Sequence, residues 1–461
     1  MIIHSKNAAL YLLLGILTLS SISCSRVSKQ SESTQGFGEV TQVKHPDWST
    51  KVSIYEVNVR QFTKEGTFKA LESHLPRLKE LGTDIIWLMP IHPIGEINRK
   101  GTLGSFYSVK DYRGINPDYG DTISFKRFVK KAHDQGLYVI IDWVPNHSAW
   151  DNPLVKQHPE WYAKDSTGKM FSPYDWTDVV KFDYNNQEMR QYMIDAMKYW
   201  IDRYDIDGFR CDVAAEVPMD FWDTARTELD KVKKVFMLAE AEGPQFHSAF
   251  DMTYGWEFHH IMNQIYKGKA GPNDIEKYLL KNDSIYPKDA YRMYFITNHD
   301  ENAWNGTEFE RLGNAVETFF TLATIVPGMP LLYTGQEAAM NKRIKFFEKD
   351  PVVWDQYKMT EFYKTILDLK SSQPALYNGT AGGSWERIKT EKDDQIFAIM
   401  RTKGNSQVIG IFNLSPKEAV VTLKDVKPGN KYQTLFTNDV IEIDQNTQIK
   451  LPAWSNKVYY K

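Results

Sequence analysis

The chain has 461 residues, 42% of them hydrophobic and 25% charged, with a formal net charge of -3. That length suits one large domain with one or two small ones, and an ordinary globular balance without an acidic or basic block excludes a nucleic-acid footprint. Two cysteines, Cys24 and Cys211, exclude a disulfide framework.

The first segment reads as a leader. His4 and Lys6 give a short basic region, Ala8 to Leu19 is almost wholly apolar, and small residues follow to Ser23 and Cys24. The apolar run is shorter than the ~20 residues a membrane span needs and has signal-peptide proportions. Ser21-Ile22-Ser23-Cys24 resembles a lipobox, with Ser21 where Leu is usual. The expectation is a lipoprotein-type signal over 1–24 and a Ser-, Gln- and Gly-containing tether over 25–45. The protein is then exported and held by a lipid on Cys24 to a membrane, facing the periplasm or the cell surface. Without the lipid it is simply secreted.

Beyond the tether, short apolar runs alternate with amphipathic ones, the pattern of a parallel α/β architecture. Val52–Val59 predicts a strand and Thr67–Leu81 its helix. Asp84–Leu88 predicts a second strand, and Thr122–Gln135 the helix before a third at Leu137–Val144, whose near-continuous apolar run suits burial on both faces. The alternation breaks over 148–186, which holds Pro153, Pro159, Gly168 and Pro173 and reads as an insertion. It resumes with a helix at Gln187–Tyr204, a strand at Asp207–Cys211, a helix at Met219–Lys231 and a strand at Val235–Glu240. Phe250–Tyr254, Tyr291–Asn298 and Pro330–Gly335 are further strands, with a helix predicted over Phe309–Ile325. The count of about eight strands predicts a (β/α)8 TIM barrel over 46–372. From 373 to 461 the texture changes to short strands parted by turns, which predicts a C-terminal antiparallel β-sandwich domain.

In such barrels the chemistry lies at the carboxyl ends of the strands. His92, Asp142, Asn146, His147, Arg210, Asp212, Glu240, His299 and Asp300 fall there. Each alone reads as a cap or a rim residue; crowded on one rim, such charges cost stability unless they have a purpose. Cleavage of a glycosidic bond needs one ionised and one protonated carboxyl group. Arg210 lies two residues before Asp212, hence on the same face of the strand, and is expected to keep Asp212 ionised. Glu240 ends the apolar run Phe236-Met237-Leu238-Ala239, a setting that favours the protonated form. Asp300 follows His299 on another strand and suits sugar hydroxyls or developing charge.

Four segments now carry a resemblance. Ile141-Asp142-Trp143-Val144-Pro145-Asn146-His147, Gly208-Phe209-Arg210-Cys211-Asp212, Leu238-Ala239-Glu240-Ala241 and Phe295-Ile296-Thr297-Asn298-His299-Asp300 resemble, in order, the four conserved regions of the α-amylase family. Thr83–Pro90 looks like the family's second barrel strand, and Tyr107–Tyr112 like its tyrosine loop. The resemblance implies a retaining, endo-acting hydrolase of α-1,4-glucosidic bonds in starch or maltooligosaccharides, working as a monomer. It implies Asp212 as nucleophile, Glu240 as acid/base and Asp300 as the clamp on sugar hydroxyls. Tyr107, His147, Arg210 and His299 are implied as substrate-binding residues, with Arg210 orienting Asp212. The 148–186 insertion matches the family's domain B, where Trp150, Trp161, Tyr174 and Trp176 are candidates for stacking on sugars.

No cofactor is required on this resemblance. Many members bind a structural Ca2+; Asn146 is the one metal-ligand candidate, and Ala215 and Glu216 stand where a Lys-His pair is common. Ser108, directly after Tyr107, stands where exo-acting α-glucosidases of the family carry Asp, and is expected to leave an open cleft. The alternatives are an exo-α-glucosidase, a cyclomaltodextrinase or neopullulanase, or a transglycosylase. The lack of a further N-terminal β domain weighs against the cyclomaltodextrinase type. A non-catalytic starch-binding lipoprotein is the alternative of another class, and the three carboxylates weigh against it.

Overall fold

The computed structural model describes residues 43–354, 356–424, 426 and 429–461. The expected signal and lipid site at Cys24 lie outside the described residues. Eight strands close into a parallel barrel: β1 (Ile54–Val57), β2 (Ile85–Leu88), β3 (Tyr138–Trp143), β4 (Gly208–Cys211), β5 (Phe236–Ala239), β6 (Met252–Tyr254), β7 (Tyr291–Tyr294) and β8 (Met329–Tyr333). Alternation along each strand divides its side chains between two cores. Ile54, Ile85, Trp87, Ile140, Phe236 and Leu238 fill the barrel interior. Tyr55, Ile86, Ile141 and Phe209 face the surrounding helices. Burial on both faces is why these strands read as continuous apolar runs rather than alternating ones.

Several elements differ from expectation for local reasons. Thr67–Leu81 is two short helices, Phe68–Glu72 and Leu75–Glu80. Pro76 lacks an N–H and cannot sit inside a continuous helix, but it fits the first turn of a new one. Phe309–Ile325 is likewise divided into Glu308–Leu312 and Val316–Ile325, with Gly313 between them at φ +50°, a left-handed conformation that ends the first piece. Val59, expected to end the first strand, instead opens a helical turn, Val59–Phe62. The helices Trp256–Tyr266, Pro272–Ile285 and Thr360–Ser372 had no counterpart in the sequence reading.

The insertion after β3 carries a two-stranded antiparallel ribbon, His147–Ala149 with Val179–Lys181. The C-terminal region forms a six-stranded antiparallel sheet from Ser384 to Tyr460 and a small ribbon, Ala419–Val421 with Ile449–Leu451. Ile396, Ala398, Ile409 and Ile411 face that ribbon's side. Phe397, Ile399, Val408 and Phe412 join the main core instead. Gly410 lies against the helix Val316–Ile325: a Cβ there would stand 3.1 Å from Ile325 Cδ1.

Candidate active site

Barrel register assembles the site. Asp142 on β3 is the cross-strand partner of Arg210 on β4, and Arg210 that of Leu238 on β5. Asp212 and Glu240 therefore leave neighbouring strand ends side by side, and Glu240 N donates to Cys211 O at 3.0 Å. Arg210 is wholly buried beneath them. Its Nη1 donates to Asp142 Oδ1 and to Asp212 Oδ1, each at 2.9 Å, and its Nη2 stands 3.0 Å from Glu240 Oε2. Its Nε donates to Tyr254 Oη at 3.1 Å. One planar cation thus gathers three carboxylates in fixed relative positions, a geometry the guanidinium fork suits and an ammonium does not.

The charge balance differs from the expected one. Burial, then the charge of Glu240, pushes the Asp212 carboxyl well above the usual range against the pull of Arg210. Burial likewise lifts Asp142 to about 6, opposed by Arg210. The expectation that Arg210 alone keeps Asp212 ionised overlooked that its one positive charge is divided among three carboxylates. Burial and the neighbouring carboxylates thus favour the neutral form of Asp212 and Asp142, and Arg210 opposes them.

A second cation holds the third acid. His299 Nδ1 pairs with the buried Glu56, and its Nε2 lies 2.8 Å from Tyr107 Oη and 3.2 Å from Asp300 Oδ2. Burial disfavours the imidazolium, but Asp300 and Glu56 together raise His299 well above its ordinary value. Although burial opposes it, His299 in turn holds Asp300 below the usual carboxylate range. Tyr107 Oη donates to Asp142 Oδ2 at 3.1 Å, which pins the ring at the cleft floor. His147 behaves oppositely: burial lowers it to about 3, so its ring is neutral. Nδ1 of that ring lies 3.3 Å from Asn146 Nδ2, which donates to it. Val213, just past Asp212, has φ +37°, a costly conformation for a β-branched residue. It aims Val213 N at Glu240 Oε2, 2.7 Å away.

These groups open on a cavity of about 470 Å3, lined by Tyr107, His147, Asp212, Glu240, His299 and Asp300 among others. Its size is that of a small-ligand site. Arg210, expected to bind substrate, does not line it; from beneath, it positions the acids. His92 is buried against Trp143 and Trp200 and its burial lowers it to about 4, so it is a core residue. Of the four stacking candidates, Trp176 lines the cavity. Trp161 is buried and stacked on His158, Trp150 Nε1 donates to Thr177 O, and Tyr174 lies outside with its Oη on Glu216. Ser108 is also absent from the lining: it is buried, and its Oγ donates to Asp178 O at 3.0 Å. The open-cleft expectation therefore loses the residue it rested on.

The sequence reading missed Glu56, the buried partner of His299, whose signal was a charged residue inside the apolar run Ile54–Val57. It also missed Lys100, Asp178, Phe346 and Phe347, which line the cavity from loops without a periodic pattern, and Trp304, which lines it from the single π-helical turn Glu301–Asn305.

The calcium candidate Asn146 follows β3 at the start of the insertion. Its side chain is buried against His147, and among the described residues no three His, Cys, Asp or Glu converge on a metal-sized space. Glu216 is committed to Lys181 at 3.5 Å and to Tyr174 Oη at 2.6 Å, which ties the insertion to the barrel. Chelation with EDTA is expected to leave activity and Tm nearly unchanged. An ion at a hundred times its Kd would contribute about 2.7 kcal/mol, so a fall of several degrees in a thermal melt would contradict this.

Comparisons with known proteins agree with the geometry. A family model described as alpha amylase, catalytic domain, matches residues 33–160 and 153–377. The chain is 29% identical over 406 residues to "Alpha-amylase MalA" of Haloarcula japonica, covering 82% of this chain and 57% of that protein. It thus spans little more than half the length of that relative. It is 24% identical over 447 residues to "Neopullulanase 2" of Thermoactinomyces vulgaris, covering 84% and 73%. Among solved structures, a noncanonic maltogenic alpha-amylase, AmyB from Thermotoga neapolitana, superposes with a TM-score of 0.82 at 32% identity, covering 89% of this chain and 98% of that one.

Proposed function

Because the chain belongs to the α-amylase family, we propose that it hydrolyses α-1,4-glucosidic bonds of starch or maltooligosaccharides with retention, through a glycosyl intermediate on Asp212. The observation that carries this is the Arg210 fork, which sets Asp212 and Glu240 on adjacent nitrogens of one cation. Two carboxylates held on one guanidinium suit the short separation that double displacement needs.

Glu240 gives its proton to the leaving oxygen as Asp212 attacks the anomeric carbon and the glycosidic bond breaks. Arg210 holds Asp212 Oδ1 and leaves Oδ2 for the attack. Glu240, now ionised, then takes a proton from water, whose oxygen displaces Asp212. Asp300, kept ionised by His299, grips hydroxyls of the sugar as charge develops at its ring, and neutral His147 adds a hydrogen bond. Proton NMR of fresh product from maltoheptaose tests this. The α-anomer is expected first, and initial β-anomer would overturn the mechanism.

Preference within α-glucans is a separate matter. The similar protein named a maltogenic alpha-amylase favours maltose as a product for this one too. With Ser108 out of the cavity, nothing at that position favours endo cleavage. The non-catalytic starch-binding alternative is answered by the same acids standing in register, and turnover of soluble starch decides it.

The leader supports export with a lipid on Cys24. Cys24→Ser is expected to move the protein from the membrane fraction to the soluble one. A wild type that is already soluble would refute the anchor.

A further inference from the structure

Residues 94–104, between β2 and Tyr107, form a strap seated on both walls of the cleft. Toward the insertion, Asn98 Nδ2 donates to Thr177 O at 3.2 Å, and Lys100 Nζ lies 3.4 Å from both Asp175 O and Asp178 Oδ1. Toward the loop after β8, Leu103 N donates to Phe347 O at 3.0 Å and Thr102 N to Glu348 Oε1 at 3.0 Å. Arg60, buried below, donates to Leu103 O, Gly104 O and Phe346 O. Gly101 has φ +62°, and a Cβ there would stand 2.6 Å from Phe347 Cβ, so the strap is pressed onto that wall.

The direction in which it blocks the cleft follows from the ring of strands. Tyr107 belongs to the same β2 loop, and it lies with His299 and Asp300 around the sugar that Asp212 attacks. Glu240, which protonates the leaving group, ends β5, three strands away around the barrel. The strap therefore stands on the glycone side, and in an α-glucan the glycone continues toward the non-reducing end. Within that closed end, Lys100 and Asp178 line the cavity, a donor and an acceptor suited to the free hydroxyls of a terminal glucose.

We propose that the strap closes the cleft beyond the glycone, so that chains are engaged by their non-reducing terminus and one short product of fixed length is released. This rests on the α-glucan hydrolase reading above. The test compares p-nitrophenyl maltoheptaoside with the same chain carrying a 4,6-ethylidene acetal on its non-reducing glucose, using the full chain. The wild type is expected to cut the free chain to one dominant short product, and to lose about tenfold or more in kcat/KM on the blocked chain, since terminal contacts act in the transition state. Lys100→Ala, and separately Asn98→Ala with Thr102→Ala, are expected to shrink that ratio and broaden the products. Equal cleavage of both chains with a ladder of products overturns the strap while leaving the parent reading standing. Cleavage of neither chain overturns the parent reading and the strap with it.

Discussion

Asp212→Asn is expected to lower kcat on maltoheptaose by about four orders of magnitude or more, without change in fold. Removal of one member of a catalytic unit commonly costs 10^4 to 10^6, and removal of two costs little more. Glu240→Gln should show a comparable loss on maltoheptaose, whose leaving group needs a proton. On maltosyl fluoride, which needs none, its first step should be far less affected, and Asp212→Asn should show no such rescue. Asp300→Asn should stay slow on both substrates, since it acts on the sugar rather than on the leaving group. The assignment fails if Asp212→Asn keeps a tenth of wild-type turnover, or if the fluoride rescues it as well as Glu240→Gln.

Arg210→Met is expected to cost both activity and stability. Asp142, Asp212 and Glu240 all rest on this one buried cation. Breaking a buried pair by deleting one partner destabilises by about 3–5 kcal/mol, mostly because the remaining charge stays buried. The loss should depend on pH in a stated direction. Asp142 and Asp212 already titrate above their ordinary range, so the folded protein holds more protons there than the unfolded chain. Groups of that kind contribute stability at low pH that is lost as pH rises through the folded value. The Arg210→Met penalty should therefore grow from pH 5 to pH 8 in denaturant melts. A penalty that is flat or shrinks with pH would show that the guanidinium matters for packing alone. Arg210→Lys restores charge but not the fork, so it should recover stability more than activity.

What was legible in the sequence followed from local patterns with one physical cause. Double-faced burial makes β3 and β5 read as apolar runs, and Glu240 was legible as the polar residue that ends the second; Asp212 and Asp300 were legible as carboxylates just past the ends of two further strands. The helix Gln187–Tyr204 was legible because its amphipathic period is uninterrupted and Asn186 caps it. The helices over 67–81 and 309–325 were read as single pieces because periodicity outweighed Pro76 and Gly313, the residues that divide them. Arg210 was read as the partner of Asp212 alone because pairing by sequence proximity sees those two, while the barrel also brings Asp142 and Glu240 to the same guanidinium. Ser108 was misread for a related reason: a position after a motif residue does not say which way its side chain turns. Lys100, Asp178 and Phe346 lie on irregular loops, where only the folded chain shows what meets across the cleft.

The central claim is that Asp212 forms a covalent bond to the sugar. Incubation with 5-fluoro-α-glucosyl fluoride, which reacts in the first step and turns over slowly in the second, tests it directly, read by mass spectrometry of peptic peptides. A fluoroglucosyl adduct on the peptide bearing Asp212, lost on adding maltose as acceptor and not formed by Asp212→Asn, is the predicted result. An adduct on Glu240 or Asp300, or full turnover of the reagent by Asp212→Asn, would contradict it.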